Sequence, residues 1–181
     1  MAKQALILID IQNDYFPQGK WPLAGVEAAA DKAQQLLQAF RQAGDAVIHV
    51  RHEFTSDDAP SSRQVRRRAL ASQGAERKRR TGGTQAFCKC LSPNQPARSA
   101  EQRSITDLVV VGSMSHMCID AVVRAAADYG YTVTVIHDAC ATRDLEFNGK
   151  TVAAAQVHEA CMASLAFAYA SVVSADEFLK A

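Results

Sequence analysis

The stretch VVVGSMSHMCID, Val109–Asp120, decides how the rest of the chain is read. Leu108 and Val109–Val111 form a run of four branched apolar residues, the pattern of a strand buried on both faces of a parallel sheet. Gly112 ends the run, a tight turn follows, and Cys118 stands where a helix from Ile119 would begin. A thiol at a helix N-terminus feels the positive end of the dipole and the free backbone N–H groups, which favour the thiolate. The same N–H groups suit an oxyanion formed during acyl transfer.

Working outward, Ala5–Ile9 (ALILI) is a second continuous apolar run, closed by Asp10. Val26–Ala43 carries Ala29, Ala33, Leu36, Leu37 and Phe40 at helical spacing and stops at Gly44, a good C-terminal signal. Ala46–Val50 and Thr132–Ile136 read as strands, Ala121–Tyr129 and Lys150–Tyr169 as helices, and SVVSADEFL near the C-terminus as a short strand and tail. Strands alternating with helices indicate an α/β fold around a mainly parallel sheet. In such sheets ligands bind beyond the C-terminal strand ends. Asp10, His52, Ser113–Cys118 and Asp138 are expected there.

Asp10 is thus placed to take the proton of Cys118, which is what a nucleophilic cysteine needs. Each residue has a plainer reading. A cysteine in a helix is often a small buried hydrophobe, and an Asp closing a strand is often a cap or turn residue.

At 181 residues, 48% apolar and 22% charged, the chain suits one domain, 1–181, with a full core. No apolar run reaches the roughly 20 residues of a membrane span, and MAKQALILIDIQ has no signal-peptide pattern, so a cytoplasmic protein without a membrane partner is expected. Five cysteines, an odd number, are expected to be reduced thiols.

DIQNDYF (Asp10–Phe16), GSMSHMCIDAVVRAAADYGY (Gly112–Tyr131) and VIHDACATRD (Val135–Asp144) together resemble the isochorismatase-like cysteine hydrolases, which include nicotinamidases and related amide hydrolases. The resemblance covers Leu6 to about Phe54 and Ile105 to Leu179. It implies a three-layer α/β/α sandwich, with Asp10 as general base and Cys118 as nucleophile. It also implies a cis peptide at Ser113–Met114 that aims the Met114 N–H, with that of Cys118, at the substrate oxygen. Ser113 and His116 would line the substrate pocket, and Asp14, Tyr15, Phe16 and Trp21 would close its other side. A surface histidine and ordinary aromatic packing are the alternatives. The pocket is expected to be completed by a neighbouring subunit, hence a homo-oligomer, and to take a small-molecule substrate without a cofactor.

Nicotinamidases of this superfamily bind a divalent ion through an Asp and histidines after the second strand. HVRHEFTSDD offers His52 and no second histidine at the matching place, and a zinc site needs three or four ligands, so no metal is expected. Cys88-x-Cys90 has no second pair nearby.

The segment 60–100 does not fit. Between Ala59 and Arg103 lie 11 of the 20 Lys and Arg but 2 of the 19 acids, with neither strand alternation nor a helical apolar face. As written it is a basic insertion that suggests a nucleic-acid patch, although no nucleic-acid partner is expected. The family places a lysine there, ending a strand, to stabilise the thiolate and the oxyanion. Lys78 and Lys89 are the written candidates. Reading the codons of RTGGTQAFCKCLSPNQPARSA one nucleotide further on can spell EPVVLKHFANAFLQTNLQEVL, an apolar strand with a lysine followed by an amphipathic helix. SSRQVRR in the remaining frame can spell FFAPGSE, again a family-like loop. A frameshifted reading of this segment is therefore expected. The function expected is cleavage of an amide-type C–N bond, or alternatively of the vinyl ether of isochorismate. A member made inactive by loss of the lysine strand, acting as a binding or scaffold protein, is the other reading.

Overall fold

The computed structural model describes residues 3–51 and 105–181. His52, Lys78, Cys88, Lys89, Cys90 and the whole 60–100 segment lie outside the described residues. Among those described, five strands form one parallel sheet: β1 (Lys3–Ile9), β2 (Ala46–Val50), β3 (Ile105–Ser113), β4 (Thr132–Ala141) and a short strand Ser171–Val173, in the order β2, β1, β3, β4, Ser171–Val173.

The alternation of side chains along these strands builds two cores. Ala5, Ile7 and Ile9 face one side with Leu108, Val110, Val133 and Val135, under Val122, Val123, Ala126, Met162 and Leu165. Leu6 and Leu8 face the other with Val109, Val111 and Ile136, under Ala33, Leu36, Leu37 and Phe40. Every one of these is at most 7% exposed, so the strands are covered on both faces, the condition that parallel sheets require. The covering helices are α1 (Val26–Ala43) on the second face and α2 (Asp120–Asp128) with α3 (Ala154–Ala168) on the first. The result is a three-layer α/β/α sandwich, as the family resemblance implies, around the mainly parallel sheet that the apolar pattern indicates.

Three boundaries differ from those read in the sequence. β4 runs on to Ala141, because a register shift opposite β3 between Val110 and Gly112 lets the strand continue through His137 and Asp138. Asp138 is consequently inside the strand and not at its rim; its carboxylate accepts a bond from the Ala175 N–H. Lys150–Val152 is the second strand of a hairpin, β5 (Leu145–Phe147) with β6 (Lys150–Val152), closed by Asn148 and Gly149 at positive φ. The last strand is therefore β7 (Ser171–Val173), and the tail beyond it is a helix, α4 (Ala175–Lys180), with Ser174 and Glu177 forming a capping box.

Candidate active site

The site forms where β1 and β3 end side by side. Gly112 has φ +126, and a Cβ there would lie 1.9 Å from the Ile9 carbonyl oxygen, so only glycine permits this approach. One residue past Ile9, Asp10 is fully buried at φ 50, a left-handed conformation that Asp tolerates better than most residues. Its N–H donates to the Val50 carbonyl at 3.0 Å, which ties it to the end of β2.

Past Gly112 the Ser113–Met114 peptide is cis. Ser115–Ile119 then makes a π-helical turn in which the N–H groups of Met117 and Ile119 both donate to the Met114 carbonyl, at 3.0 and 3.2 Å. The turn runs directly into α2. Cys118 therefore lies within continuous helical backbone and not ahead of the first helical residue, as the sequence reading places it.

The Cys118 thiol lies beside the Asp10 carboxylate, close enough for that group to act on its ionisation. Burial, and then the Asp10 carboxylate, push this thiol well above the ordinary range. This corrects the expectation of a favoured thiolate: removal from water and a facing anion outweigh a helix terminus. Burial also raises Cys140, to about 12, and Cys161. A neutral thiol beside a carboxylate is set up to lose its proton as it attacks, with Asp10 as acceptor.

The aromatic residues after β1 do gather beside this pair. Tyr15, 3% exposed, packs with Leu23, Val26, Ala29, Met114 and Ala141, and Phe16 and Trp21 lie against the same cluster. Its hydroxyl is held neutral by burial and then by the charges of Asp10, Cys118 and Asp14. The loop that carries them doubles back through bonds from Trp21 N–H to the Asp14 carbonyl (2.8 Å) and from Gly19 N–H to the Phe16 carbonyl (2.7 Å). A Cβ on Gly19 would stand 2.2 Å from the Asp14 oxygen. Ser113 is buried at the end of β3.

His116 is tied down: its Nδ1 lies 2.6 Å from Thr142 Oγ1, and burial followed by the Arg143 charge lowers its pKa. Thr142 in turn accepts the Ala24 N–H at 2.9 Å, joining the turn, the end of β4 and the approach to α1. Sequence reasoning missed Thr142 and His158; Ser115, expected at the rim only as part of Ser113–Cys118, bonds His158 at 2.8 Å. A polar side chain's partner across elements leaves no mark in local spacing.

A family model described as the isochorismatase domain matches residues 4–177. An isochorismatase family protein of Bacillus subtilis, YddQ, is 39% identical over 180 residues, covering 97% of this chain and 98% of its own. A crystal structure assigned as an isochorismatase hydrolase from Oleispira antarctica superposes with a TM-score of 0.82 at 47% identity, covering 99% of this chain and 97% of that one. An isochorismatase from Pseudomonas putida follows with a TM-score of 0.79 at 33% identity, covering 97% and 91%.

Proposed function

Because the chain belongs to the isochorismatase family of hydrolases, we propose that it is a cysteine hydrolase that cleaves an amide-type C–N bond of a small molecule through an acyl-enzyme. The observation that carries this reading is the half-buried Cys118 thiol beside the fully buried Asp10 carboxylate, which bears on its ionisation. As Sγ attacks the carbonyl carbon, the thiol proton passes to Asp10 and the carbonyl electrons move onto oxygen. The N–H groups of Met114 and Cys118 hold that oxyanion. When it collapses, the C–N bond breaks and the amine leaves with the proton from Asp10. Water, deprotonated by Asp10, then hydrolyses the thioester and restores the thiol.

Tyr15, Phe16 and Trp21, together with Asp14, Ser113 and His116, form the substrate side of the pocket. Tyr15 and its neighbours keep water from the Asp10–Cys118 pair, which strengthens every polar interaction there. A cytoplasmic homo-oligomer is part of this reading. Phe167 is 92% exposed on α3, and no helix among the described residues is long and apolar enough to cross a membrane.

Turnover of a panel of small amides, followed by mass spectrometry of quenched protein, tests the reading. An acyl adduct on the Cys118 peptide is expected, with turnover abolished in Cys118→Ser. Turnover that survives the substitution would sink it.

A further inference from the structure

The turn that carries Met114 and Cys118 is held from outside by two residues that the reaction itself does not use. Ser115 is fully buried, and its hydroxyl donates to the Ala141 carbonyl at 3.5 Å. Ser115 Oγ also lies 2.8 Å from His158 Nδ1, a hydrogen bond whose donor is set by the imidazole tautomer. His158 belongs to α3, whose first turn is anchored in its own right, since Asp144 Oδ1 accepts the Ala154 N–H at 2.8 Å. Ser115 thus joins the turn to the end of β4 and to α3 at once. The next residue, His116, adds the bond to Thr142.

We propose that Ser115 and His158 are a positioning pair, which fixes the π-helical turn so that the Met114 and Cys118 amides point at the oxygen of the reacting carbonyl. The inference rests on the acyl-enzyme reading above. It goes further in assigning the orientation of the oxyanion donors to a buried serine and a histidine from a different layer element. Both ends of the turn's internal bonding meet at the Met114 carbonyl, which accepts Met117 and Ile119. The turn therefore moves as a unit, and its aim depends on where Ser115 is held. Donors aimed at developing charge are worth far more than donors slightly off line, because a small displacement in a dry site is not made up by water.

Alkylation of Cys118 by iodoacetamide forms no oxyanion, whereas acylation by p-nitrophenyl acetate does, so the two probes separate positioning from general damage. In Ser115→Ala and His158→Leu the p-nitrophenol burst should slow by at least about tenfold, while the alkylation rate and the concentration dependence of the burst stay within about twofold. His158→Asn, whose amide can donate or accept near the place of Nδ1, should recover most of the burst rate, and Ser115→Thr likewise. An unchanged burst in Ser115→Ala, an equal loss of burst and alkylation, or a His158→Asn as slow as His158→Leu would each overturn the pair. Absence of a burst from the wild-type protein would overturn the acyl-enzyme reading and the pair with it. Failure of the pair alone leaves the wild-type burst intact.

Discussion

Cys118 and Asp10, brought together beyond the ends of neighbouring strands β3 and β1, lie side by side, and the carboxylate makes the thiol harder to ionise. Asp10 consequently acts on Cys118 in two opposite senses. Its negative charge opposes a resting thiolate, yet its lone pairs accept the proton when the thiol attacks. Asp10→Asn removes both effects. The pH at which Cys118 becomes alkylated by iodoacetamide should move down, while turnover of an amide substrate should fall by at least about a hundredfold for want of a base. An alkylation profile that moves up, or stays in place, would show that Asp10 does not bear on the thiol.

Gly112 makes the junction possible. Gly112→Ala would combine φ +126 with a Cβ 1.9 Å from the Ile9 carbonyl oxygen, backbone against backbone with no side chain to swing away. The expected cost is about 3 kcal/mol or more, which for a chain of this size lowers Tm by roughly 6 to 12 °C. Thermal unfolding followed by circular dichroism measures it. A shift within about 2 °C would mean that β1 and β3 do not approach this closely.

Much of this architecture is legible in local pattern. Val26–Ala43 was bounded correctly because its apolar residues recur at helical spacing and Gly44 takes the left-handed cap, φ 75. β2 likewise matches AVIHV. The Asp10 and Cys118 positions are legible because Asp10 closes β1, Cys118 follows the end of β3 after one turn, and adjacent parallel strands deliver their ends to one rim. Asp138 was misplaced since a register shift, not a change of composition, carries β4 past Ile136. The β5–β6 hairpin had its Asn-Gly signal at 148–149 but was absorbed into the helix reading of its alanine-rich successor. The state of the Cys118 thiol is not legible in the sequence, because the helix terminus is a local effect while burial and the facing charge come only from tertiary packing.

Cys140 gives the alkaline limb of stability a definite sign. It is buried at the junction of β3 and β4, where burial pushes its thiol up from an ordinary 9.0 to about 12. Above pH 9 the unfolded chain gives up this proton and the folded one keeps it, so the stability present below 9 is lost as pH rises towards 12. The slope from this residue alone is about 1.4 kcal/mol per pH unit. Urea titrations of wild type and Cys140→Ala at pH 8, 9.5 and 10.5 separate it from other groups. The variant should be weaker at pH 8, by about 1 kcal/mol for the lost sulfur, and should fall less steeply above pH 9. Parallel slopes would mean that the thiol is not shielded from solvent.

The written residues 80–100 are expected to differ from those of the folded protein. β2 offers Val47, Ile48 and Val50 only half-buried, and among the described residues it pairs with β1 on one side alone. An apolar strand at an open sheet edge invites unwanted pairing, and natural sequences protect such edges. The one-nucleotide shift turns RTGGTQAFCKCLSPNQPARSA into EPVVLKHFANAFLQTNLQEVL, removing a basic, patternless run and supplying apolar alternation and a lysine in its place. A lysine beside the Asp10–Cys118 pair would favour the thiolate, since a positive charge nearby lowers a thiol's pKa. Tandem mass spectrometry of a tryptic digest tells the two apart. The written chain would release TGGTQAFCK and CLSPNQPAR, whereas the shifted frame would release a peptide beginning HFANAFLQTNLQEVL. Recovery of the first two would sink the frameshift and leave Lys78 and Lys89 as the residues to replace, each by Met, in search of the third member of the site.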